Sequence, residues 1–185
     1  MAKPTPMHRP SLTSTATLRA HARNHVEDGA ITATYHADRK TIVKRLNDAL
    51  ATEYVCTLRY YQHYFSAKGV LSGIVKPEFL EHAKEEQEHA HQLAERIVQL
   101  GGDPDFDPET LTARSHAEFK TCRSLREMVN ENLIAERIAI DSYRELIAYV
   151  GNHDTTTRRL LERILAQEEE HADEFADMLD EWVGK

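Results

Sequence analysis

The segment Glu86-Gln87-Glu88-His89 returns 82 residues later as Glu168-Glu169-Glu170-His171. In each copy a carboxylate and an imidazole stand three residues apart, so on a helix both project from one face and can grip one cation between them. Glu53 precedes the first copy by 33 residues, and Glu136 precedes the second by 32. The chain therefore reads Glu, Glu-x-x-His, Glu, Glu-x-x-His, one member on each of four successive helical stretches. That is the inventory of a two-metal carboxylate site inside an all-α four-helix bundle.

Hydrophobic periodicity supplies the helices. The first long one is expected from about Asp38, a capping residue, to Ala67, with Ile42, Leu46, Ala49, Leu50, Cys56, Tyr60 and Tyr64 in one stripe. Glu53 falls on that stripe, where a carboxylate must be paired, protonated or metal-bound. A loop over Gly69–Lys76 and a first-turn Pro77 open the second helix, which faces inward with Phe79, Ala83, Glu86, Ala90, Leu93 and Ile97 and stops at Gly101-Gly102. Between Asp103 and Ser124 the pattern weakens into a long crossover, with a short helix expected around Ser115–Cys122, that leaves its two flanking helices parallel. The third helix is expected over Leu125–Val150, carrying Val129, Asn132, Leu133, Glu136, Ile140, Tyr143 and Ile147 inward. Asp154 or Thr155 caps the fourth, which carries Leu161, Ile164, Leu165, Glu168, His171, Ala172, Phe175, Leu179 and Trp182. The residues after His171 finish this helix and leave no room for a fifth.

Residues 1–37 read as a flexible arm over 1–16 followed by a short helix over 17–26, with Leu18, Ala22 and Val26 on one side, and residues 38–183 read as the bundle. The arm is basic: Lys3, Arg9, Arg19 and Arg23 face no acid through residue 26, and subtracting that +4 from the net −8 leaves −12 on residues 27–185. An acidic body attracts cations and argues against a general nucleic-acid surface. Two cysteines, Cys56 and Cys122, make no secreted disulfide framework, and no signal-like or membrane-spanning apolar run occurs, so a reducing cytoplasmic location without membrane association is expected.

Four carboxylates and two imidazoles make a hard, oxygen-rich donor set suited to iron or manganese. The four glutamates supply −4, which balances two divalent cations. The half repeat assigns Glu53 and His89 as terminal ligands of one cation, Glu136 and His171 as terminal ligands of the other, and Glu86 and Glu168 as bridges. Two ferrous ions roughly 3.5–4 Å apart can hand two electrons to one molecule of dioxygen or peroxide. Tyr60 and Tyr143 each follow the single glutamate of their helix by seven residues, two turns along the same face, as hydrogen-bond donors to the site or as bundle packing. His82, Glu81 and Glu85 read as solvated surface.

The segments LNDALATEYVCTLRYYQHY at 46–64, EFLEHAKEEQEHAHQLAERIVQLGG at 78–102, NLIAERIAIDSYRELI at 132–147 and LLERILAQEEEHADEFADML at 160–179 resemble the bacterioferritin branch of the ferritin-like superfamily. All six ligand positions of that branch are matched, by Glu53, Glu86, His89, Glu136, Glu168 and His171. The resemblance implies a ferritin-like fold, a di-iron ferroxidase centre that manganese or zinc can occupy in place of iron, ferrous iron with O2 or H2O2 as substrates, and mineral storage in a hollow homo-oligomeric shell. The methionine that ligates haem in haem-binding members is replaced by Gln87, so no haem is expected. The short C-terminus and N-terminal extension look more like dodecameric starvation-protection relatives than the twenty-four-subunit members. Two other readings stand beside this one: a dinuclear manganese catalase or peroxidase, and a DNA-binding protein that uses its basic arm.

Overall fold

The protein is described by a computed structural model over residues 11–183, with side chains through Asp180. Residues up to His36 and residues from Ala37 onward are two compact units. In the first, helix α1 spans Thr15–His21, capped by the Ser14 side chain, and a three-residue 3-10 turn follows at Val26–Asp28. The helix expected over 17–26 is thus shorter and earlier. His25 takes the left-handed backbone conformation (φ 52°) and breaks the register. Leu18 and Val26 are 52% and 70% exposed. The rest of the predicted arm, with Lys3 and Arg9, lies outside the described residues.

The second unit carries four long helices, α2 (Arg39–Ser66), α3 (Ser72–Gln99), α5 (Leu125–Val150) and α6 (Thr155–Val183), with a single-turn α4 (Leu111–Arg114) in the crossover. Every inward residue expected in α3 is buried, as are Ile42, Leu46, Leu50, Cys56 and Tyr60 of α2, while Tyr64, Ile147 and Leu179 lie half-buried near helix ends. The Trp182 side chain lies outside the described residues. Among the described residues no helix is long and apolar enough to cross a membrane.

Local chemistry sets the helix ends. The Asp38 carboxylate accepts the Thr41 amide at 3.2 Å, and Ser124 and Glu127 form a reciprocal capping box at the start of α5. Gly101 ends α3 in the left-handed region (φ +70°), and Gly102 admits Val43 so closely that a Cβ there would lie 2.5 Å from Val43 Cγ1. Two expectations need correcting. α3 begins at Ser72, so Pro77 lies within it; the missing Pro77 N–H forfeits only one bond near the helix start. The short crossover helix sits at Leu111–Arg114 because the Asp107 side chain and carbonyl gather the amides of Glu109, Thr110 and Leu111, whereas residues 115–122 form no helix and bend at His116 and Ala117.

The crossover sets the topology. Side chains of α2 bind the crossover in order: Asn47 bonds Asp103 and Asp105, Thr52 bonds His116, Arg59 donates to the Glu118 carbonyl at 3.1 Å, and His63 to that of Lys120 at 3.0 Å. The crossover therefore travels the length of α2 and delivers α5 at the far end. There Asn132 meets both Arg59 and His63 through its carbonyl oxygen. α5 runs antiparallel to α2 and parallel to α3.

Helices α3 and α6 cross at a buried ion pair. Arg96 Nη2 lies 2.9 Å from both oxygens of Asp154, whose carboxylate also accepts the amide and hydroxyl of Thr157 and so caps α6. Asp154→Ala removes the cap and leaves the guanidinium buried without its carboxylate. We expect a loss of roughly 3–5 kcal/mol, read as a lower midpoint in chemical denaturation; a change within about 0.5 kcal/mol contradicts it.

Candidate metal centre

Glu53, Glu86, Glu136 and Glu168 stand near the middle of α2, α3, α5 and α6, and one turn on from Glu86 and Glu168 stand His89 and His171. All six are at most 3% exposed. They form two overlapping groups, each with ligand atoms within 4.8 Å of one another and able to hold one ion: Glu53, Glu86, His89 and Glu168, and Glu86, Glu136, Glu168 and His171.

The distances show how the groups share members. His89 Nδ1 lies 3.0 Å from Glu168 Oε1, 3.5 Å from Glu86 Oε2 and 3.7 Å from Glu53 Oε2. His171 Nδ1 lies 3.4 Å from Glu86 Oε1 and 3.9 Å from both Glu136 Oε2 and Glu168 Oε2. Glu86 and Glu168 each turn one oxygen toward each imidazole, while Glu53 approaches only His89 and Glu136 only His171.

The remaining polar atoms of the cluster are held from outside. Tyr60 of α2 donates to Glu136 of α5, and Tyr143 of α5 donates to Glu53 of α2, so the two phenols exchange partners across the bundle. His89 Nε2 donates to Gln167 Oε1 at 3.1 Å and His171 Nε2 to Glu85 Oε2 at 2.8 Å. Each acceptor keeps a proton on Nε2 and aims Nδ1 at the carboxylates, the orientation used by metal-binding histidines. Both Nδ1 atoms, Glu86 Oε1, Glu136 Oε2 and both oxygens of Glu168 are buried with no hydrogen-bond partner. Inward-facing oxygen and nitrogen atoms left in this state are what a pair of cations would satisfy, and the donor set is that of iron or manganese.

Without cations the cluster balances its charge with protons. Burial and the neighbouring Glu86 charge push Glu53 up to about 8, and burial with Glu86 also raises Glu136 and, further, Glu168. Burial opposes ionisation of Glu86 too, but its close approach to Glu53 and to the His171 and His89 imidazoles outweighs it and holds that carboxyl well below its usual range. Burial disfavours the charged imidazoles, yet the surrounding carboxylates raise His171 to about 9 and His89 higher still.

Sequence reasoning missed the partners of the two imidazoles. Glu85 and Gln167 each precede the glutamate of a Glu-x-x-His copy, so the half repeat extends one residue further than the ligand types suggest. His82, expected on the surface with Glu85, is 1% exposed, and its ring stacks on that of His171 with centroids 4.0 Å apart. The charged neighbourhood hides this, since only packing between helices, by His171 and Phe175 of α6 and Tyr60 of α2, covers that side of α3. Glu81 and Gln87 are exposed. Both cysteines carry free thiols and pack in one apolar cluster around Tyr60, Phe79 and Phe175, where burial raises Cys56 well above its ordinary range.

The model of the ferritin-like domain matches residues 43–183. A nutrient stress-induced DNA-binding protein of Synechococcus is 34% identical over 147 residues, covering 75% of this chain and 80% of its own. A bacterioferritin of Desulfovibrio desulfuricans is 27% identical, with 72% of each chain covered. Among solved structures, a dodecameric thioferritin described as the bacterioferritin-related protein of Bacteroides fragilis superposes with a TM-score of 0.76 at 32% identity, covering 80% of this chain and 89% of its own.

A raised folded-state pKa contributes stability below the unfolded value that is lost as pH rises through the folded value. For the metal-free protein, the Glu53 carboxyl therefore loses stability between about 4.5 and about 8. Glu53→Gln needs no proton, so metal-free E53Q becomes more stable than the metal-free parent as pH rises, by on the order of 2–3 kcal/mol at pH 7, and matches it near pH 4.5. Denaturant titrations of chelator-treated proteins across this range check it; a gap that does not widen with pH contradicts it.

Proposed function

The chain belongs to the ferritin-like family, and from that premise we propose that it is a ferroxidase that oxidises Fe2+ with dioxygen or hydrogen peroxide and retains the ferric product in a hollow homo-oligomeric shell. A diiron, iron-storing function of this general kind is what the clustered carboxylates and imidazoles and the relatives support. The observation that carries the finer reading is the geometry of Glu86 and Glu168, each presenting one oxygen to each imidazole. In this reading Glu53 and His89 would hold one cation and Glu136 and His171 the other, with Glu86 and Glu168 within reach of both.

Ferrous iron is the substrate. Two Fe2+ ions each give up one electron; with peroxide the O–O bond breaks and two protons complete two waters, and with dioxygen the two electrons and two protons leave hydrogen peroxide. Paired sites matter because a lone ferrous ion delivers one electron and favours radical products. Tyr60 and Tyr143 keep Glu136 and Glu53 turned inward, while Glu85 and Gln167 orient the imidazoles. As cations bind, the protons held on the imidazole Nδ1 atoms and on the carboxylates are displaced to solvent.

A second reading, DNA association through the basic arm, is favoured by α1, which is wholly exposed, carries Arg19 and contains no acid. The Synechococcus relative is named for DNA binding. Four arm cations are few for one chain, but arms multiplied over a shell act together. Salt-sensitive retardation of DNA that disappears when residues 1–26 are deleted supports this, and retention after deletion rules out the arm.

The main reading is tested by light scattering of the purified protein before and after aerobic or peroxide-driven loading with ferrous iron, with iron counted per chain. A shell of about the dodecamer's mass holding many irons per chain is expected. Two irons per chain and no more, with rapid peroxide disproportionation by the manganese form, replaces it with a dinuclear catalase. Glu86→Ala and His171→Ala lower the initial oxidation rate by roughly 100-fold or more, since even outer partners of metal ligands are worth about 10–100-fold.

A further inference from the structure

Outside the paired centre, Glu78, His82 and Glu174 bring ligand atoms within 4.8 Å of one another. Glu78 and His82 lie one turn apart on α3, and Glu174 reaches across from α6 to place Oε2 2.8 Å from His82 Nε2. The three are unlike in exposure. His82 is 1% exposed, whereas Glu78 and Glu174 are half-buried and reach solvent.

His82 sits badly as a packing residue. Its ring is enclosed by the edges of Tyr60 and Phe175 and by the face of His171, and its Nδ1 is buried with no hydrogen-bond partner. An apolar side chain would fill this wall of aromatic rings without stranding a polar atom. A histidine here, paired with one solvent-reaching carboxylate and near a second, has the composition of a cation site. Its placement is also directional. The ring of His82 lies against that of His171, and His82, Glu85 and His171 form a further group with ligand atoms within 4.8 Å. A continuous row of oxygen and nitrogen donors thus leads from the solvent-reaching carboxylates to the buried centre.

We propose that Glu78, His82 and Glu174 form a third divalent-cation site at the mouth of the bundle, which takes up a borderline cation such as Fe2+ or Zn2+ from solvent and passes it past His171 to the paired centre. The nitrogen donor selects such cations over Mg2+ and Ca2+, which prefer oxygen alone. The uptake half of the proposal needs only the site; the delivery half rests on the ferroxidase reading above.

The experiment separates these halves. Crystals of the full chain soaked in Zn2+, measured at the zinc absorption edge, are expected to show anomalous density between Glu78, His82 and Glu174 in addition to the two central positions. In the double variant E78Q/E174Q the outer peak is lost and the two central peaks remain, because the carboxamide introduced on α6 still accepts from His82 and keeps its ring in place. Absence of the outer peak in the parent protein, or its persistence in the variant, overturns the site. For delivery, stopped-flow oxidation at ferrous concentrations below saturation is expected to slow about tenfold in E78Q/E174Q and to recover at saturating iron. An unchanged rate at low iron overturns delivery. If the parent protein oxidises no iron at all, delivery falls together with the ferroxidase reading, while the third site still stands or falls on the zinc density.

Discussion

Four carboxylates buried in one layer of a helical bundle repel each other across a medium that screens poorly, and the rest of the molecule is arranged around that fact. None of Glu53, Glu86, Glu136 or Glu168 is more than 1% exposed. The repulsion is tolerable only when protons or cations supply positive charge among them. In the metal-free state two imidazolium groups and shared protons do so, at a cost set by how far burial moves each group from its ordinary pKa. Cations in the same positions supply that charge directly and use atoms that otherwise have no partner.

The layer is held by exchange between the two helical hairpins. α2 lends Tyr60 to Glu136, and α5 lends Tyr143 to Glu53; α3 lends Glu85 to His171, and α6 lends Gln167 to His89. Neither hairpin therefore completes its own cation position. The nearest carboxylate to His89 belongs to Glu168 on the opposite hairpin, and the nearest central carboxylate to His171 belongs to Glu86. Such an arrangement makes the site sensitive to how the hairpins are placed relative to each other. The crossover, tied along α2 by Asn47, Thr52, Arg59 and His63, is what sets that placement.

Aromatic and polar groups share the wall between the centre and one end of the bundle. Tyr60, Phe79 and Phe175 pack together there, and His82 is inserted among them against His171. At the other end, Ile42, Leu46, Leu50, Leu93, Ile97 and Leu161 form a fully buried apolar block with Arg96 and Asp154 as its ionic clasp. This block supplies cohesion that the charged middle does not. The two ends thus differ: one is mainly aliphatic around a single ionic clasp, and the other mixes aromatic rings with the His82 imidazole.

The helices, their inward faces and the six central side chains were legible in the chain alone, because helix periodicity is local: a residue three or four positions away is a spatial neighbour whatever the rest of the chain does. The doubled spacing of Glu, Glu-x-x-His was legible for the same reason. What crosses between helices came only with the packed fold. The exchange of tyrosine partners, the grip of Glu85 and Gln167 on opposite imidazoles and the burial of His82 join residues 76 to 92 positions apart. Pro77 within α3 and the early position of α4 were likewise beyond propensity, since one lost amide bond and the side chain of Asp107 weigh less in a local pattern than in a packed fold. Which atoms meet across the bundle depends on the angle and register of helix packing, and no period within one helix encodes those quantities.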